Sequence, residues 1–307
     1  MTDRFILADD PIALPQGAWA KTERRTLRRG NLPVLSLTQG HHRPYLFPVY
    51  TPQGFAVTSE CPADHPHHNS FWIASDHVDC WMPAADGRKE QYTYNFYVNE
   101  TFQGRAPGRI LQTQAMGEET AAGYRITQEM EWRGPVEWAA PEGRLAARER
   151  RRLDLKLEGG AYVIDVESQL SAAAWDLSLG PTRHAYFNLR VAESIAVTSG
   201  GRVVNDRGAS GGAAVSGAGA HWVHYCGPVG GGHWAGLALF PDPRDHRDPW
   251  WFVADWGVVT VGPFRLEKRD IRQGETMTLR YRVLLHDGDL PAAVIAERYA
   301  AYLAGLR

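Results

Sequence analysis

Three histidines lie within four positions of the segment DHPHHNSFW, residues 64–72. Pro66 favours an extended backbone at the residue before it. Because side chains alternate along an extended backbone, His65 and His67 would share one face and His68 would point to the other. Imidazoles in such a pattern suit a metal site, a proton-transfer site or the binding of a polar ligand. A polar loop held together by imidazole hydrogen bonds would contain the same residues.

A metal ion is one of these interpretations. His65 and His67 would supply two nitrogen ligands, and His77 is the candidate for the third. A metal site of the kind found in small β-barrels needs a carboxylate shortly after the histidines, whereas Asn69 and Ser70 follow here. We therefore predict no cofactor and keep the metal set His65, His67 and His77 as the alternative.

His184 is the second candidate for chemistry. It lies in GPTRHAYFNL, residues 180–189, where a Gly-Pro pair precedes an extended run. An imidazole among apolar and aromatic neighbours suits a positioned acid or base, but a histidine buried in the core would show the same pattern. Arg183 would point to the opposite face of a regular strand, so it reaches the same site only if the strand bends there.

Other side chains suit the binding of a small polar ligand. Arg43, in GHHRPYLFPVY, can form paired hydrogen bonds to a carboxylate or to two hydroxyl groups. The chain also contains 11 Trp and 12 Tyr residues, whose flat rings match the faces of sugars. Core packing uses the same residues, so composition alone does not identify a ligand.

Alternating apolar and polar residues dominate the chain. The pattern recurs in residues 124–130, 153–157, 162–170 and 277–285, and each run is typical of a half-buried strand. Clusters of Gly, Pro, Asn and Asp separate the runs, and no amphipathic helices alternate with them. The sequence therefore predicts an all-β protein, a large antiparallel sandwich of two sheets that forms one domain over residues 1–307.

One helix is predicted at the end of the chain. Asp289 is the candidate N-cap, and Pro291 would lie in the first turn. An apolar stripe follows at helical spacing, formed by Ile295, Tyr299, Tyr302 and Leu306. We expect this helix to pack outside the sandwich or to cover an edge. Residues 208–220, rich in Gly and Ala, are predicted to form a flexible loop.

Bulk composition excludes several classes of function. The 307 residues carry a formal net charge of −2, so the sequence indicates no basic surface for a nucleic acid. No stretch approaches the roughly 18 apolar residues of a membrane span, and we identify no signal peptide. Cys61, Cys80 and Cys226 are too widely spaced for a disulfide framework or a zinc motif. We expect a cytoplasmic protein that binds a small molecule, and the oligomeric state stays open.

The segment HAYFNL, residues 184–189, is similar to the Asn-His-x-Tyr-Phe-Asn-Leu signature of the galactose mutarotase (aldose 1-epimerase) superfamily. Arg183 stands where that signature has an asparagine. The segment HPHHNSFW resembles an earlier Leu-His-Gly-Gly motif of the superfamily in chain order but lacks its glycines. Residues 273–275, Gln-Gly-Glu, resemble the Pro-Gly-Glu before the last long strand of the mutarotases.

A closer resemblance extends over nearly the whole chain, to a family of mutarotase-like β-sandwich proteins labelled methane oxygenase PmoA. The segments that carry it are RPYLFPVYTPQG, DHPHHNSFW, GPTRHAYFNLRVA, DPWWFVADWG and GETMTLRYRVLLHDG. The resemblance implies a galactose mutarotase-like fold and a role in carbohydrate catabolism.

The resemblance also implies roles for individual residues. In the mutarotases the histidine of the signature protonates the sugar ring oxygen, which makes His184 the implied acid. A late glutamate takes the proton of the anomeric hydroxyl, and here Glu267 is nearest in chain order, with Asp255 as its rival. The predicted catalytic residues are His184, His67, His68, Glu267 and Asp255. The predicted substrate-binding residues are Arg43, Tyr45, Asp64, Trp72, Tyr186, Asn188 and Trp251.

Three functions are compatible with the sequence. The first is an enzyme that acts on a sugar or an oxidised sugar by histidine acid/base chemistry, as an epimerase or mutarotase, or as a lyase or hydrolase of a keto-glycoside. The second is a carbohydrate-binding protein without turnover. The third is a metal-dependent enzyme that uses His65 and His67.

Overall fold

The computed structural model describes residues 4–9, 24–217 and 219–306, and strands dominate them. The elements, in chain order, are β1 (Phe5–Ala8), β2 (Arg24–Arg29), β3 (Leu32–Gln39), β4 (Pro44–Val49), β5 (Phe71–Ser75), β6 (Val78–Pro83), β7 (Lys89–Asn95), β8 (Ala106–Pro107), β9 (Arg109–Glu119), β10 (Tyr124–Arg133), β11 (Leu145–Glu158), β12 (Ala161–Ala172), β13 (Asp176–Leu179), β14 (Ala185–Arg190), β15 (Arg202–Asn205), α1 (Gly212–Val215), β16 (Val223–Gly230), β17 (His233–Pro241), β18 (Trp250–Val253), β19 (Val258–Gly262), β20 (Arg269–Ile271), β21 (Thr276–Asp287) and α2 (Ala292–Gly305). The four alternating runs fall in β10, β11, β12 and β21, as predicted.

The strands form three sheets in the described part of the chain. The first has the order β1-β2-β3-β4-β5-β14-β19-β18, the second β15-β16-β17-β21-β12-β11-β10-β9, and the third β20-β13-β6-β7-β8. Neighbouring strands are antiparallel, except for the short parallel pair of β7 and β8. The all-β antiparallel class with a C-terminal helix is therefore confirmed.

The two eight-stranded sheets pack face to face. Phe187 of the first sheet stacks on Tyr281 of the second, with ring centroids 4.5 Å apart. Tyr186 similarly stacks on Trp132, at 6.2 Å. One cluster of buried apolar side chains includes residues of all three sheets, such as Cys80 of the third. Burial of these side chains is the main favourable term for the sandwich.

The third sheet corrects the prediction of a simple two-sheet sandwich. Local alternation shows that a segment is a strand, but it does not show which sheet the strand joins. Here β5 belongs to the first sheet, and only two residues separate it from β6 in the third. Strand β13 belongs to the third sheet, and β14 returns the chain to the first. We call residues 76–77 and 180–184 the sheet-switching bends.

The C-terminal helix packs on the outer face of the second sheet, as one of the two predicted placements. Ile295 and Tyr302 are buried there against residues that include Phe240. Its N-cap is Pro291, and no side chain caps it. The prediction that Asp289 caps the helix is therefore wrong, because the Asp289 carboxylate pairs with Arg202 instead.

The Gly- and Ala-rich segment 208–220 differs from the predicted loop. It contains the one-turn helix α1, whose Val215 is fully buried. Ala220 is buried as well and its carbonyl accepts a hydrogen bond from the Trp251 indole at 2.8 Å. The small residues thus allow close packing of this segment against β18. Among the described residues, no helix has the length and apolar character needed to cross a membrane.

A buried histidine makes the fold sensitive to acid. His246 is 3% exposed, packs on Tyr281 and has no hydrogen-bond partner for either ring nitrogen among the described residues. Burial lowers its pKa to about 3. In the unfolded chain, His246 therefore binds a proton below about pH 6.5, whereas in the folded state it stays neutral. The unfolding free energy consequently falls as the pH drops.

We expect His246→Phe to reduce the loss of unfolding free energy between pH 7 and pH 4.5 by about 2 kcal/mol. Urea denaturation at a series of pH values measures this difference. His221→Phe is the matched control because the His221 side chain is 54% exposed. Equal pH dependence in wild type and His246→Phe would contradict the prediction.

Candidate active site

The two sheet-switching bends bring a carboxylate and an imidazole together. Strands β5 and β14 are antiparallel neighbours, with Ser75 opposite Ala185. The next pair of residues beyond this register is Asp76 and His184, and the Asp76 amide donates to the His184 carbonyl at 3.3 Å. Asp76 and His184 thus lie side by side at one end of the β5–β14 strand pair.

Asp76 and His184 form a hydrogen-bonded pair. His184 Nδ1 lies 3.1 Å from Asp76 Oδ2, so the ring donates from Nδ1 to the carboxylate. Thr182 fixes this arrangement, because its hydroxyl donates to Asp76 Oδ1 at 2.5 Å and accepts from the His184 amide at 2.9 Å. The proton at Nδ1 leaves Nε2 of the neutral ring with its lone pair.

The Asp76 carboxylate is held in its ionised form. Its side chain is only 2% exposed, and burial alone would raise its pKa. Hydrogen bonds from His184 and Thr182, together with the charge of Arg105 at 3.2 Å, outweigh burial and lower the pKa below its ordinary value. An ionised Asp76 stabilises positive charge on His184.

The His184 imidazole and five other rings form a closed series of contacts. The members of this histidine–aromatic circle are His65, His67, Tyr97, His184, Phe252 and Trp256, with neighbouring centroids 4.2 to 6.5 Å apart. Tyr97 is buried and the other five are partly exposed. The circle is therefore a polar and aromatic surface that a small ligand can reach.

The histidine segment is not extended, which corrects the predicted alternation. The His65 amide donates to Pro62 and the His68 amide to His65, so two turns follow each other. As a result, all three imidazoles touch: His68 stacks on His65 at 4.7 Å and meets His67 at 4.6 Å.

His68 lies beneath the circle. It is 2% exposed, and its Nε2 shares a hydrogen bond with the Tyr97 hydroxyl at 3.2 Å. Burial, with the neighbouring imidazole of His67, holds its pKa well below the ordinary value. His68 thus supports the site from below, and His65, which stacks on Trp256 at 4.2 Å, is the more accessible residue.

His67 faces the site with free ring nitrogens. Within the described part of the chain, no group forms a hydrogen bond with its imidazole, and the ring is half-buried. Burial and the charge of Arg43 lower its pKa to about 4. The ring is therefore neutral at pH 7 and can donate to or accept from a ligand.

Arg43 is a structural residue rather than the predicted ligand grip. It is 1% exposed, and its guanidinium donates five hydrogen bonds, which engage all of its N–H groups. The acceptors are the carbonyls of His67, Phe96 and Tyr97 and the side-chain oxygens of Asn69 and Asn99. Arg43 thereby fastens the histidine segment to residues 96–99.

Most of the other predicted binding residues lie inside the protein. Trp72, Tyr186, Asn188 and Trp251 are at most 1% exposed and Tyr45 is 3% exposed. Trp72 lies under His68, with centroids 5.3 Å apart, and the Tyr45 hydroxyl donates to Glu60. Asp64 is exposed beside the circle, where it pairs with Arg190 and His65.

Neither predicted carboxylate base belongs to the circle. Asp255 accepts a hydrogen bond from the Gly212 amide at 2.6 Å at the start of α1. Glu267 is exposed on the turn after Phe264, beside Lys268 and Thr276. Chain order placed both residues near the site. The Glu267 segment folds elsewhere, whereas Asp255 is next to Trp256 of the circle but its carboxylate binds the Gly212 amide.

The alternative metal set is not assembled either. His77 lies 3.4 Å from the Pro181 carbonyl and 3.5 Å from Asp79, away from His65 and His67. Among the described residues, the group whose ligand atoms all lie within 4.8 Å of one another is a different one, His224, Cys226 and His286.

Several residues of the site were not predicted in these roles. Asp76, Tyr97, Phe252 and Arg105 contact His184 or its partner carboxylate, and Arg183 enters the site because the chain bends before β14. The Arg183 guanidinium lies 4.7 Å over Phe252, and its Nε donates to His184 Nε2 at 3.2 Å. If the pairing of β5 with β14 were known from the sequence, it would place Asp76 beside His184.

Comparison with known proteins places the chain in a family. The model of a family of unknown function (DUF6807) matches residues 25–300. The match does not carry the PmoA label, so that finer resemblance stays untested. No curated protein matches the sequence.

Seventeen solved chains match the structure. One is a galactose mutarotase-like protein from Lactobacillus casei ATCC 334, with 9% identity, a TM-score of 0.39, and coverage of 92% of this chain and 100% of that one. Another is a polysaccharide lyase, with 11% identity, a TM-score of 0.34, and coverage of 93% and 33%. A third is a 4-alpha-glucanotransferase from Thermococcus litoralis, with 9% identity and a TM-score of 0.31. The match covers 94% of this chain and 40% of that one.

The chain thus spans about a third of the length of the lyase. Because these three TM-scores are below 0.5, we base no argument on the similarities.

Proposed function

The chain belongs to a family of unknown function (DUF6807), and we propose from its site that it is an enzyme that acts on a sugar or an oxidised sugar by histidine acid/base chemistry. The observation that carries the proposal is the Asp76–His184 pair within the partly exposed histidine–aromatic circle. A carboxylate that orients a reachable imidazole is the arrangement that proton-transfer enzymes use.

His184 is the residue that exchanges a proton with the substrate. Its Nδ1 proton is committed to Asp76, so Nε2 is the reactive atom. When Nε2 takes a proton, the Asp76 carboxylate stabilises the imidazolium that forms. Arg183 at present donates to Nε2, and as an exposed side chain it can turn aside for a ligand.

His67 is the second polar group of the proposed reaction. It is neutral at pH 7 and its ring nitrogens are not engaged by described residues. His67 and His184 both contact the Tyr97 ring, with centroids 5.6 Å and 5.1 Å away. Neither predicted carboxylate base belongs to the circle, so His184 Nε2 is the proton acceptor of the proposed reaction. His67 would donate a hydrogen bond to a hydroxyl or carbonyl oxygen of the substrate.

The aromatic members of the circle favour a sugar as substrate. Trp256 and Phe252 are partly exposed, and the face of an aromatic ring packs well on the C–H groups of a sugar. The reactions that fit two histidines are anomer interconversion and elimination or hydrolysis of a keto-glycoside, where an adjacent carbonyl acidifies a C–H bond. None of these steps requires a cofactor.

A carbohydrate-binding protein without turnover is the second candidate. The same aromatic rings and the paired charges of Asp64 and Arg190 at the rim of the circle would suit binding alone. The two candidates differ in what they require of His184. Catalysis requires the carboxylate that orients the proton at His184 Nδ1, whereas binding alone does not.

The test is a panel of aldoses and 3-keto-glycosides incubated with the wild-type protein. NMR follows anomer interconversion and exchange of the C2 proton with deuterium. We expect the protein to accelerate one of these processes in at least one substrate. Binding of a sugar without any turnover would favour the second candidate, and neither binding nor turnover would contradict both.

A further inference from the structure

Three side chains that bind metals meet on the outer face of the second sheet, away from the histidine–aromatic circle. They are His224 and Cys226 of β16 and His286 of β21, which we call the His–Cys cluster. Their exposed fractions are 0%, 0% and 1%. One ligand atom from each lies within 4.8 Å of the other two.

The register of the sheet explains why they meet. Strand β17 lies between β16 and β21, and its Gly236 is paired with Cys226 on one side and with His286 on the other. His224 is two positions before Cys226 and therefore shares its face. Neighbouring residues of this face, Ala238 and Phe240, pack under α2.

Gly236 provides the space through which His286 reaches across β17. A Cβ atom at this position would lie 2.7 Å from His286 Nε2 and 2.4 Å from the Tyr225 carbonyl oxygen. Because both distances are below van der Waals contact, only glycine allows the imidazole to lie over the strand. A glycine within a strand marks such a close approach.

The two imidazoles present nitrogen atoms to each other. His286 Nδ1 lies 3.3 Å from the Asp287 carbonyl, so Nδ1 carries the proton and Nε2 has its lone pair. That lone pair faces His224 Nε2 at 2.9 Å. A backbone carbonyl that fixes the far nitrogen is the usual support of a metal-binding histidine.

All three side chains are buried, so bulk solvent does not compete for their ligand atoms. On binding the ion, the thiol of Cys226 would release its proton to the solvent, as thiol ligands do.

We propose that the His–Cys cluster binds a transition-metal ion of the zinc type, with His224, Cys226 and His286 as ligands. Imidazole and thiolate are ligands that Zn²⁺ selects, and buried sites made of them are structural. The fourth ligand would be a water molecule, because the Asp289 Oδ1 that lies 3.8 Å from Cys226 Sγ is bound to Arg202.

The cluster needs only a small adjustment to hold the ion. Two nitrogens bound tetrahedrally at about 2.0–2.1 Å lie about 3.4 Å apart, so the imidazoles must separate by about 0.5 Å. Bound metal would join β16 to β21 and to the residues that lead into α2. Its effect is therefore on stability, and it is independent of the function proposed above.

Titration of the untagged full-length protein with Zn²⁺ and Co²⁺ tests the proposal. We expect one equivalent of Zn²⁺ by calorimetry, a rise in Tm with Zn²⁺, and a thiolate-to-metal absorption band with Co²⁺. Cys226→Ser should remove the band and weaken Zn²⁺ binding at least about 100-fold. Cys61→Ser is the matched control and should bind as wild type does.

A second pair of variants keeps the test decisive if Cys226→Ser does not fold. His286→Gln removes a ligand, and Gly236→Ala displaces the imidazole without removing one. Both should weaken Zn²⁺ binding. The proposal is overturned if wild type binds no stoichiometric Zn²⁺, if the Co²⁺ band is absent, or if Cys226→Ser and His286→Gln bind as tightly as wild type.

Discussion

Replacing His184 by Ala is expected to lower kcat by about 10²–10⁴-fold on whichever sugar the wild-type protein turns over. The substitution removes the imidazole of the circle that the buried Asp76 carboxylate orients. Binding should change much less, because Trp256, Phe252 and His67 still contact the ligand. The loss should therefore appear in kcat rather than in KM.

Asp76→Asn separates orientation from the imidazole itself. The amide keeps the shape of the side chain but removes the charge that stabilises the His184 imidazolium. We expect a loss of kcat smaller than that of His184→Ala.

The chain supplies a matched control for both variants. His221 and Asp206 form a second pair, with His221 Nδ1 2.6 Å from Asp206 Oδ2, but that histidine is 54% exposed on the surface. His221→Ala and Asp206→Asn should leave kcat unchanged. If His184→Ala retains kcat within about threefold of wild type, His184 does not transfer the proton, and the enzyme proposal loses its central residue.

The sequence predicts the parts of this site that are local. The histidines of residues 65–68 and His184 are recognisable from their own segments, and so are the strands, because alternation is a property of neighbouring residues. Asp76 has no local pattern that indicates its role, since its partner His184 is 108 residues away. Such a pair depends on which strands become neighbours, and local patterns do not determine that.

The errors in the predicted site have a similar physical origin. Arg43 has the right chemistry to bind a ligand, but five acceptors from two segments of the chain surround it. Glu267 and Asp255 have suitable charge and chain order, but Glu267 lies on a turn outside the circle and the Asp255 carboxylate binds the Gly212 amide. Cys226 forms no motif in the sequence, and only the register of three strands brings it to His224 and His286.

Arg43 is therefore the residue whose loss should damage the fold most. Arg43→Met keeps much of the volume of the side chain but leaves five oxygen atoms without their donor. Each buried acceptor that loses its partner costs about 1–3 kcal/mol, and water entering the gap offsets part of this. We expect the unfolding free energy to fall by about 3–5 kcal/mol.

Urea denaturation of Arg43→Met, Arg43→Lys and Arg183→Ala measures the unfolding free energy of each variant. The comparison distinguishes the contribution of the Arg43 charge from that of its hydrogen-bond geometry. Lys retains the charge but has three donors on one nitrogen and does not match acceptors spread around a planar guanidinium, so Arg43→Lys should recover only part of the loss. Arg183 is exposed, and its removal should change the unfolding free energy by less than about 0.5 kcal/mol.

A change below about 1 kcal/mol in Arg43→Met would mean that water replaces the guanidinium and that the histidine segment is held by other contacts. The expected loss of unfolding free energy would instead show that the hydrogen bonds of Arg43 stabilise both the fold and the arrangement of the circle. The same guanidinium that binds the carbonyls of Phe96 and Tyr97 also binds the carbonyl of His67. An arginine that has no donor left for a ligand thus sets the distance between the His67 imidazole and the Tyr97 ring, and through Tyr97 the distance to His184.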